Sequence, residues 1–361
     1  MAFVKRIITP FVGTLKNDVA VPSDNEDTIT TLSWSPVDNL LATASWDNKL
    51  RIYDVSGSPR GVGMLIAEGP VFDADWAKDG TTVLAGGADK KNHLLHVATG
   101  QQLTLGQHDA AVRGVRFLDI HGSDGNIFAS GSWDKTLKMF DVRSGNDPVV
   151  SLSCYDRVYS MDTQKSLLVI ATAGTQMQLV DLRNPSTILK TVQSSLTHQT
   201  KVVRALPDGK AWATGSIEGR VAITHVDDKS KPENFTFRCH RSQPEPIGRS
   251  RIKETKIWAV NDIAIHPIHH SICVTAGSDG CFHIWDLPNR RRTRSYPTVP
   301  ASDGKHPDAI TAVSFSHDGR FLAYATGYDW SRGCAGNVPK IKTKVMLHEV
   351  GDLDPAKIKL Y

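Results

Sequence analysis

The feature of this sequence that most restricts its fold is a short pattern that returns seven times. Each copy runs from an apolar strand into a turn of small residues, usually with an acidic residue, and then into a second strand. The copies end near residues 54, 98, 141, 181, 226, 286 and 348. The first five ends are 40 to 45 residues apart, and the last two intervals are 60 and 62 residues. An internal period of this size indicates a repeat architecture, in which each unit buries its core against its neighbours.

Each unit also opens with a segment in which apolar and polar residues alternate. These segments are residues 29–34, 71–76, 112–117, 158–161, 202–206, 260–265 and 310–315. Alternation with a period of two, together with turn dipeptides such as Asp79-Gly80, predicts short antiparallel strands. Seven four-stranded units therefore predict an all-β fold, a single seven-bladed WD40-repeat β-propeller.

The predicted domain organisation is one propeller with a short extension. We expect residues 1–17 to form an N-terminal extension and residues 18–361 to form the propeller. Residues 18–21 precede the first unit and are predicted to pair beside the C-terminal strands, so that the last blade closes the ring without an open edge. Residues 229–256 are predicted to form an insertion between blades five and six.

Composition narrows the functional classes. Hydrophobic residues make up 40% of the chain and charged residues 22%, as in ordinary soluble proteins. The net charge of +4 is too small to indicate a dedicated nucleic-acid-binding protein by itself. The five cysteines include no Cys-x-x-Cys pair, and no apolar run approaches the ~18 residues of a membrane span. We therefore expect a soluble intracellular protein without disulfides, a metal site or a membrane span.

No enzyme motif stands out in the chain. It has no Gly-x-Ser-x-Gly, Gly-x-Gly-x-x-Gly, Walker or His-Glu-x-x-His motif. The adjacent pair His269-His270 follows Pro267 and is interpreted as part of a solvated turn. His108, just before the first strand of the third unit, is predicted to hydrogen-bond Asp134 and so fix the turn that holds this acid. The sequence thus predicts no catalytic residue and no cofactor.

Two tryptophans occupy exposed turn positions, where they would add little to the stability of a monomer. The turn that carries the acidic residue of each blade opens on the top face of a propeller. Trp46 and Trp133 directly precede Asp47 and Asp134 in two of these turns. Exposed tryptophans are frequent anchors of protein interfaces. The alternative is that each tryptophan packs on the neighbouring blade; we favour the interface.

Two groups of arginines are candidate contacts for anions. Arg238 and Arg241 lie in a stretch of alternating aromatic and basic residues, predicted to be the outer strand of blade five, and could hold carboxylates in bidentate geometry. A solvated edge strand is an alternative of nearly equal weight. A cationic run beyond blade six is either a solvated turn or a contact for nucleic-acid phosphates. It comprises Arg290, Arg291, Arg292 and Arg294.

Several longer stretches resemble a known family. Residues 215–223 (GSIEGRVAI) and 234–242 (NFTFRCHRS) resemble the shared signature of two sister families of WD-repeat proteins. One comprises the nuclear-pore-associated mRNA export factors of the Rae/Gle type, and the other the Bub-type protein of the mitotic checkpoint. Residues 107–110 (QHDA) with 131–138 (GSWDKTLK) fit the export branch. So do residues 328–333 (YDWSRG), which the checkpoint branch lacks in this form.

The resemblance implies a non-enzymatic adaptor of the nuclear pore complex that supports export of poly(A) mRNA. It implies that the top face binds the GLEBS motif, an acidic and hydrophobic segment of a GLFG nucleoporin, and that basic surface contacts single-stranded RNA. It further implies a monomer within a heteromeric complex, in the nucleus, at the nuclear envelope and shuttling to the cytoplasm. The positions that match the family's partner-binding residues are Trp46, Trp133, Arg220, Arg238 and Arg241. We expect these side chains to matter little for folding.

Three other functions remain open from the sequence. The checkpoint paralogue would bind kinetochore or checkpoint-kinase peptides with the same face, but residues 328–333 favour the export branch. A substrate receptor of a ubiquitin ligase is disfavoured because nothing resembling a ligase-docking domain flanks the propeller. An enzyme is disfavoured because catalytic motifs are missing.

Overall fold

A computed structural model describes residues 11–120, 122, 125–246, 253–297, 308–337, 341–351 and 353. Besides one two-stranded hairpin, these residues form seven β-sheets of four or five strands, in which all strand pairs but one are antiparallel. They are arranged as the blades of a propeller, which confirms the predicted fold. The helical segments of the described residues are three short 3-10 turns, Ala173–Thr175, Asp228–Glu233 and Cys334–Gly336. None of them is long and apolar enough to cross a membrane.

The blades are numbered along the chain, and their strands are given from the central channel outwards. Blades one to three comprise Ile29–Trp34, Leu40–Ser45, Lys49–Asp54 and Arg60–Ile66; Val71–Trp76, Thr82–Gly87, Lys91–His96 and Gln102–Gln107; and Val112–Phe117, Ile127–Ser132, Thr136–Asp141 and Val150–Ser153. Blades four and five comprise Val158–Gln164, Leu167–Thr172, Gln176–Asp181 and Lys190–Gln193; and Thr200–Ala205, Ala211–Ser216, Arg220–His225 and Phe235–Arg238. Blades six and seven comprise Val260–Ile265, Ile272–Gly277, Cys281–Asp286 and Arg291–Pro297; and Ala309–Phe315, Phe321–Gly327, Lys344–Glu349 and Val19–Val21.

The hydrophobic core lies between the blades rather than at one centre. Each innermost strand contacts the innermost strand of the next blade, and Ala309–Phe315 contacts Ile29–Trp34, so blades seven and one are neighbours. One apolar cluster fills each interface between successive blades. Because every blade needs both neighbours to bury its faces, the ring folds as a unit and presents rigid turns at its two ends.

Acidic residues that are buried or largely buried join neighbouring blades beside the channel. Asp73, Asp162 and Asp262 occupy innermost strands of blades two, four and six, and each accepts a hydrogen bond from a backbone amide of the following blade. The donors are the amides of Val115, Ala205 and Val313, at 3.0, 2.8 and 3.0 Å. These bonds fix the rotation of one blade against the next, and so the positions of the top-face turns.

The outer strand of the last blade comes from the beginning of the chain. Val19–Val21 pairs antiparallel with Lys344–Glu349. Just before it, the Asp18 carboxylate lies 2.8 Å from Nδ1 of His348 and accepts a hydrogen bond of 2.9 Å from the Tyr324 hydroxyl. Both partners are buried, so the N-terminal segment is attached to blade seven by side chains as well as by backbone.

Part of the expected N-terminal extension belongs to blade six. Phe11–Val12 pairs parallel with Arg291–Pro297, and the Gly13 amide donates to the Ser295 carbonyl at 2.9 Å. Blade six therefore has five strands, and its outer edge is partly covered. Two residues are too few to show strand periodicity, which is why the sequence pattern did not indicate this pairing.

The segment between blades five and six is only partly an insertion. Its first half supplies the outer strand of blade five, which ends at Arg238, three residues earlier than the alternating pattern suggested. A small hairpin follows, with Glu245–Pro246 paired to Lys253–Glu254, and Arg241 forms a β-bridge with Ile257.

Candidate partner-binding surface

Tight turns display the two predicted tryptophans. Trp46 and Trp133 each stand between the second and third strands of a blade, in turns whose fourth residue has a left-handed backbone, with φ of 68° at both Asn48 and Lys135. The acidic residue after each tryptophan accepts hydrogen bonds from backbone amides of its own turn. The turns are therefore rigid, and the exposed fractions of Trp46 and Trp133 are 36% and 39%.

The two tryptophans belong to one continuous group, which we call the aromatic row: Trp133, Phe72, Trp46, Trp330 and Tyr328. Ring centroids along it are 5.5, 5.7, 5.6 and 5.6 Å apart. Trp46 and Trp330 are stacked, with an angle of 20° between their planes. The row runs over blades seven, one, two and three. Each tryptophan packs on a neighbouring blade, as one of the two alternatives predicted, and each remains more than one-third exposed, which leaves the interface as a prediction.

The sequence indicated only two of the five members of the row, and it did not reveal Phe72, Trp330 or Tyr328. Phe72 is the second residue of an innermost strand. Blades one and three have Thr30 and Arg113 at that position, so the aromatic residue in blade two departs from the repeat and could have indicated a surface role. Trp330 lies in residues 328–333, which the sequence analysis used only to distinguish the two families. Its backbone is left-handed, with φ of 59°, and its ring stacks on that of Trp46. Its indole nitrogen is buried without a hydrogen-bond partner among the described residues.

Blade five contributes charge at the same end of the propeller. Arg220 begins the third strand, directly opposite Arg238 in the outer strand. Nε of Arg220 lies 3.5 Å from the Glu218 carboxylate, which also has Nδ1 of His198 at 3.4 Å. Arg220, Arg238 and Glu218 all lie close enough to Arg241 to affect its pKa, so three arginines accompany one glutamate and leave a net positive patch.

Ile217 is a further residue that sequence reasoning missed. It holds the turn position in blade five that Trp46 and Trp133 hold in blades one and three, and it is 42% exposed. An exposed branched apolar residue therefore lies at the edge of the arginine patch. The repeat alignment itself could have found it, because it directly precedes Glu218 in the copy at residues 213–218.

Arg241 has a structural role that the sequence analysis did not foresee. Its guanidinium donates to the carbonyl of Glu218 at 2.5 Å and to that of Gly219 at 3.4 Å. Burial, followed by Arg220 and Arg238, lowers the pKa of this guanidinium. These contacts count against the expectation that Arg241 matters little for folding, because its side chain holds the turn that carries Glu218.

The cationic run lies within blade six rather than beyond it. Its last three arginines belong to the outer strand, Arg291–Pro297, and are half-buried. Arg291 lies 3.4 Å from the Asp286 carboxylate, and Arg294 donates to the Val350 carbonyl at 3.3 Å. Arg290 is exposed, and its guanidinium lies 4.5 Å from the centroid of the Phe235 ring. The interpretation as a solvated turn is therefore wrong for most of the run.

His108 performs the role that its position predicted. Its Nδ1 lies 2.9 Å from the Asp134 carboxylate, and its Nε2 lies 2.9 Å from the Ser130 hydroxyl. Burial lowers the pKa of His108 despite this neighbouring acid. The histidine is thus a lock on the turn that displays Trp133.

Comparison with known proteins places the chain in a family. The family model for the WD domain, G-beta repeat, matches residues 17–54, 100–141, 253–286 and 301–331. The chain is 43% identical to the mRNA export factor GLE2 of Chaetomium thermophilum, over 95% of this chain and 93% of that one. It is 40% identical to the Poly(A)+ RNA export protein of Schizosaccharomyces pombe, over 94% and 92%. It is also 36% identical to the mitotic checkpoint protein BUB3.1 of Arabidopsis thaliana, over 92% of each chain.

Proposed function

This chain belongs to the family of WD-repeat mRNA export factors, and on that premise we propose that it is a non-enzymatic adaptor in the export of poly(A) mRNA. Its top face would hold the GLEBS motif of a GLFG nucleoporin at the nuclear pore complex, and basic surface would contact single-stranded RNA. The adaptor would act as a monomer within that complex, in the nucleus and at the nuclear envelope, and would shuttle to the cytoplasm.

The observation that carries this proposal is the aromatic row. It is a continuous line of five aromatic side chains across four blades. Its three tryptophans are partly exposed, and partly exposed tryptophans in a continuous line are a surface that a monomer does not need. Tryptophan and arginine are the residue types most enriched among interface hot spots. The arginines of blade five lie at the same end of the propeller and complement acidic side chains. An extended segment that is both apolar and acidic therefore matches the surface.

Affinity purification of the full chain from cells tests the proposal. Recovery of a GLFG nucleoporin supports it. The alternative, a checkpoint adaptor, has the support of a relative with a checkpoint name and would give checkpoint kinases or kinetochore proteins instead. Recovery of those proteins without a nucleoporin would contradict the export function.

RNA binding through the cationic run can be tested separately, by the salt dependence of the binding constant. Replacing Arg290 and Arg292 by alanine should weaken binding of an unstructured RNA and flatten its salt dependence. Each phosphate contact to a single strand contributes about 0.7 to the slope of log K against log salt, so two lost contacts reduce the slope by about 1.4. Arg291 and Arg294 are left in place because of their contacts with Asp286 and Val350. Fluorescence anisotropy at several salt concentrations measures the slope.

The control is a double replacement of exposed arginines outside the run. Arg60 and Arg183 lie on blade one and after the third strand of blade four, and each pairs with a nearby aspartate. Their replacement by alanine makes the same change in net charge. If both double variants alter the slope equally, or neither does, the RNA site does not lie on the outer strand of blade six.

A further inference from the structure

The outer strand of blade one, Arg60–Ile66, has an exposed apolar surface. Three of its large apolar side chains are 41%, 46% and 61% exposed: Val62, Met64 and Ile66. They alternate along the strand, and Leu65 between the last two is buried. No other strand among the described residues carries more than two large apolar side chains of such exposure. We call the three residues the apolar stripe.

The backbone of this strand is free on its outer side. The strand is the last of the four in blade one, and none of the described residues pairs with its far side. The Ala67 amide donates inwards to the Asn48 carbonyl at 2.8 Å, so the alternate residues, such as Met64, direct their backbone groups outwards. In agreement, the Met64 carbonyl accepts a hydrogen bond of 3.2 Å from the Gln102 side chain of blade two. A free edge of this kind is a template for another strand.

The usual protection of such an edge is weak here. Natural sheets protect their outer edges with charged residues, prolines, bulges or a covering segment. Residues 61–67 contain no charged residue and no proline. One register shift occurs at Val62, and residues 63–66 remain in regular pairing with the third strand. In blade six, by contrast, the pair Phe11–Val12 covers part of the outer edge. The edge of blade one is therefore suited to accept a strand.

The apolar stripe is complementary to itself. In an antiparallel pair of two such strands about a two-fold axis at Met64, the Met64 residues of both copies face each other. Val62 of each copy then faces Ile66 of the other copy, so that every exposed apolar side chain meets an apolar side chain. A symmetric dimer requires a surface that matches itself in this way.

The charges at the two ends of the strand match in the same register. Arg60 of each copy faces Glu68 of the other copy, and these side chains are 73% and 76% exposed. Each has a partner within its own chain, Asp54 at 3.0 Å and Lys91 at 2.9 Å, so neither end carries an unbalanced charge. Opposite charges that face each other across strands favour the pairing, and like charges oppose it. The ends therefore specify this register.

We propose that blade one pairs edge to edge with blade one of a second copy of this chain, in the antiparallel register centred on Met64. The two blades then form one sheet of eight strands, and the two apolar stripes cover each other. An interface of one strand pair is small, so the dimer forms only at high protein concentration. The inference goes beyond the proposed function, because it concerns the free chain and leaves the chain within the complex a monomer.

The pairing leaves the top face open. The edge of blade one forms part of the side wall of the ring, whereas Trp46 stands in the turn between the second and third strands of that blade. Each copy in the dimer therefore keeps its aromatic row available to a partner. Dimerisation and partner binding are measured separately, so either idea can fail alone.

Sedimentation velocity of the full chain tests the dimer. Measured from micromolar to several hundred micromolar concentration, the sedimentation coefficient should rise from that of a monomer towards that of a dimer. Met64→Lys places two like charges face to face at the two-fold axis and should weaken dimerisation by about 100-fold or more. The matched control is Leu189→Lys, which changes an exposed apolar residue on blade four and should dimerise as the unaltered chain does. Thermal melting checks that both variants fold.

A charge exchange tests the register. Arg60→Glu and Glu68→Arg each replace attraction by repulsion at both symmetry-related ends, and each should weaken dimerisation by about 3- to 30-fold. The double variant restores opposite charges across the interface and should dimerise as the unaltered chain does. A purely structural role of either residue would not give this restoration.

Three results would overturn the proposal. A chain that stays monomeric at all concentrations would leave the edge to a strand of another protein or to solvent. Equal dimerisation of Met64→Lys and Leu189→Lys would place the contact elsewhere on the ring. A double charge variant that dimerises as weakly as the single variants would exclude the register centred on Met64.

Discussion

Alanine at Trp133 is expected to weaken binding of a GLEBS segment by about 30-fold or more, because a buried aromatic anchor contributes about 2 kcal/mol or more at an interface. Trp46→Ala should have an effect of similar size. Both side chains touch Phe72, so the double variant should lose less than the sum of the two single losses. Isothermal titration calorimetry with a synthetic segment measures the dissociation constants.

Charge reversal in blade five should also weaken binding of the segment. Arg238 is exposed on an outer strand, unlike Arg241, so Arg238→Glu tests charge without removing the backbone contacts of the Glu218 turn. A like charge facing acidic side chains, in place of a desolvated pair, costs about 2–5 kcal/mol. Arg60→Glu, on the outer strand of blade one, changes the net charge equally and should bind normally.

The outcome that contradicts this surface is specific. If Trp133→Ala and Arg238→Glu both bind the segment with the affinity of the unaltered chain, while their melting temperatures are also unaltered, the top face is not the docking site. Loss of binding in Arg60→Glu as well would show that only the net charge matters. Neither result would alter the assignment of the fold.

Most of the fold could be predicted because each blade repeats a strong local pattern. Alternation and turn dipeptides placed the first strands of blades one, two, three and six with the bounds that the structure has. His108 and its bond to Asp134 followed from the same repeat. These features depend on residues close in sequence, where period and turn chemistry are informative.

What could not be predicted depends on contacts between distant residues. The aromatic row joins Trp46 to Trp330, and Phe11–Val12 pairs with a strand that lies about 280 positions later in the chain. Only closure of the ring brings such residues together.

Removal of the strand that closes the ring should strongly lower the stability of the protein. Deleting residues 1–21 removes Val19–Val21, exposes the strand Lys344–Glu349 as an open edge, and leaves Tyr324 and His348 without their partner Asp18. Each buried polar group left unpaired costs about 1–3 kcal/mol, and the lost burial of Val21 costs about 1.5–3 kcal/mol. These losses add to about 4–9 kcal/mol, and a value near the lower end, about 5 kcal/mol, allows for water that reaches the newly exposed polar groups. At about 2–4 °C per kcal/mol for a large domain, the melting temperature should fall by about 10–20 °C.

The control for this deletion is removal of residues 1–10 alone, which leaves Phe11–Val12 and Val19–Val21 in place. That shorter variant should melt like the full chain. The point substitution Asp18→Ala separates side-chain from backbone contributions, and should lower the melting temperature by a smaller amount, since the strand pairing with Lys344–Glu349 remains. Because an open strand edge pairs with other chains, the longer deletion should also aggregate at concentrations where the control stays monomeric. Equal melting of both deletions would show that blade seven does not need its N-terminal strand.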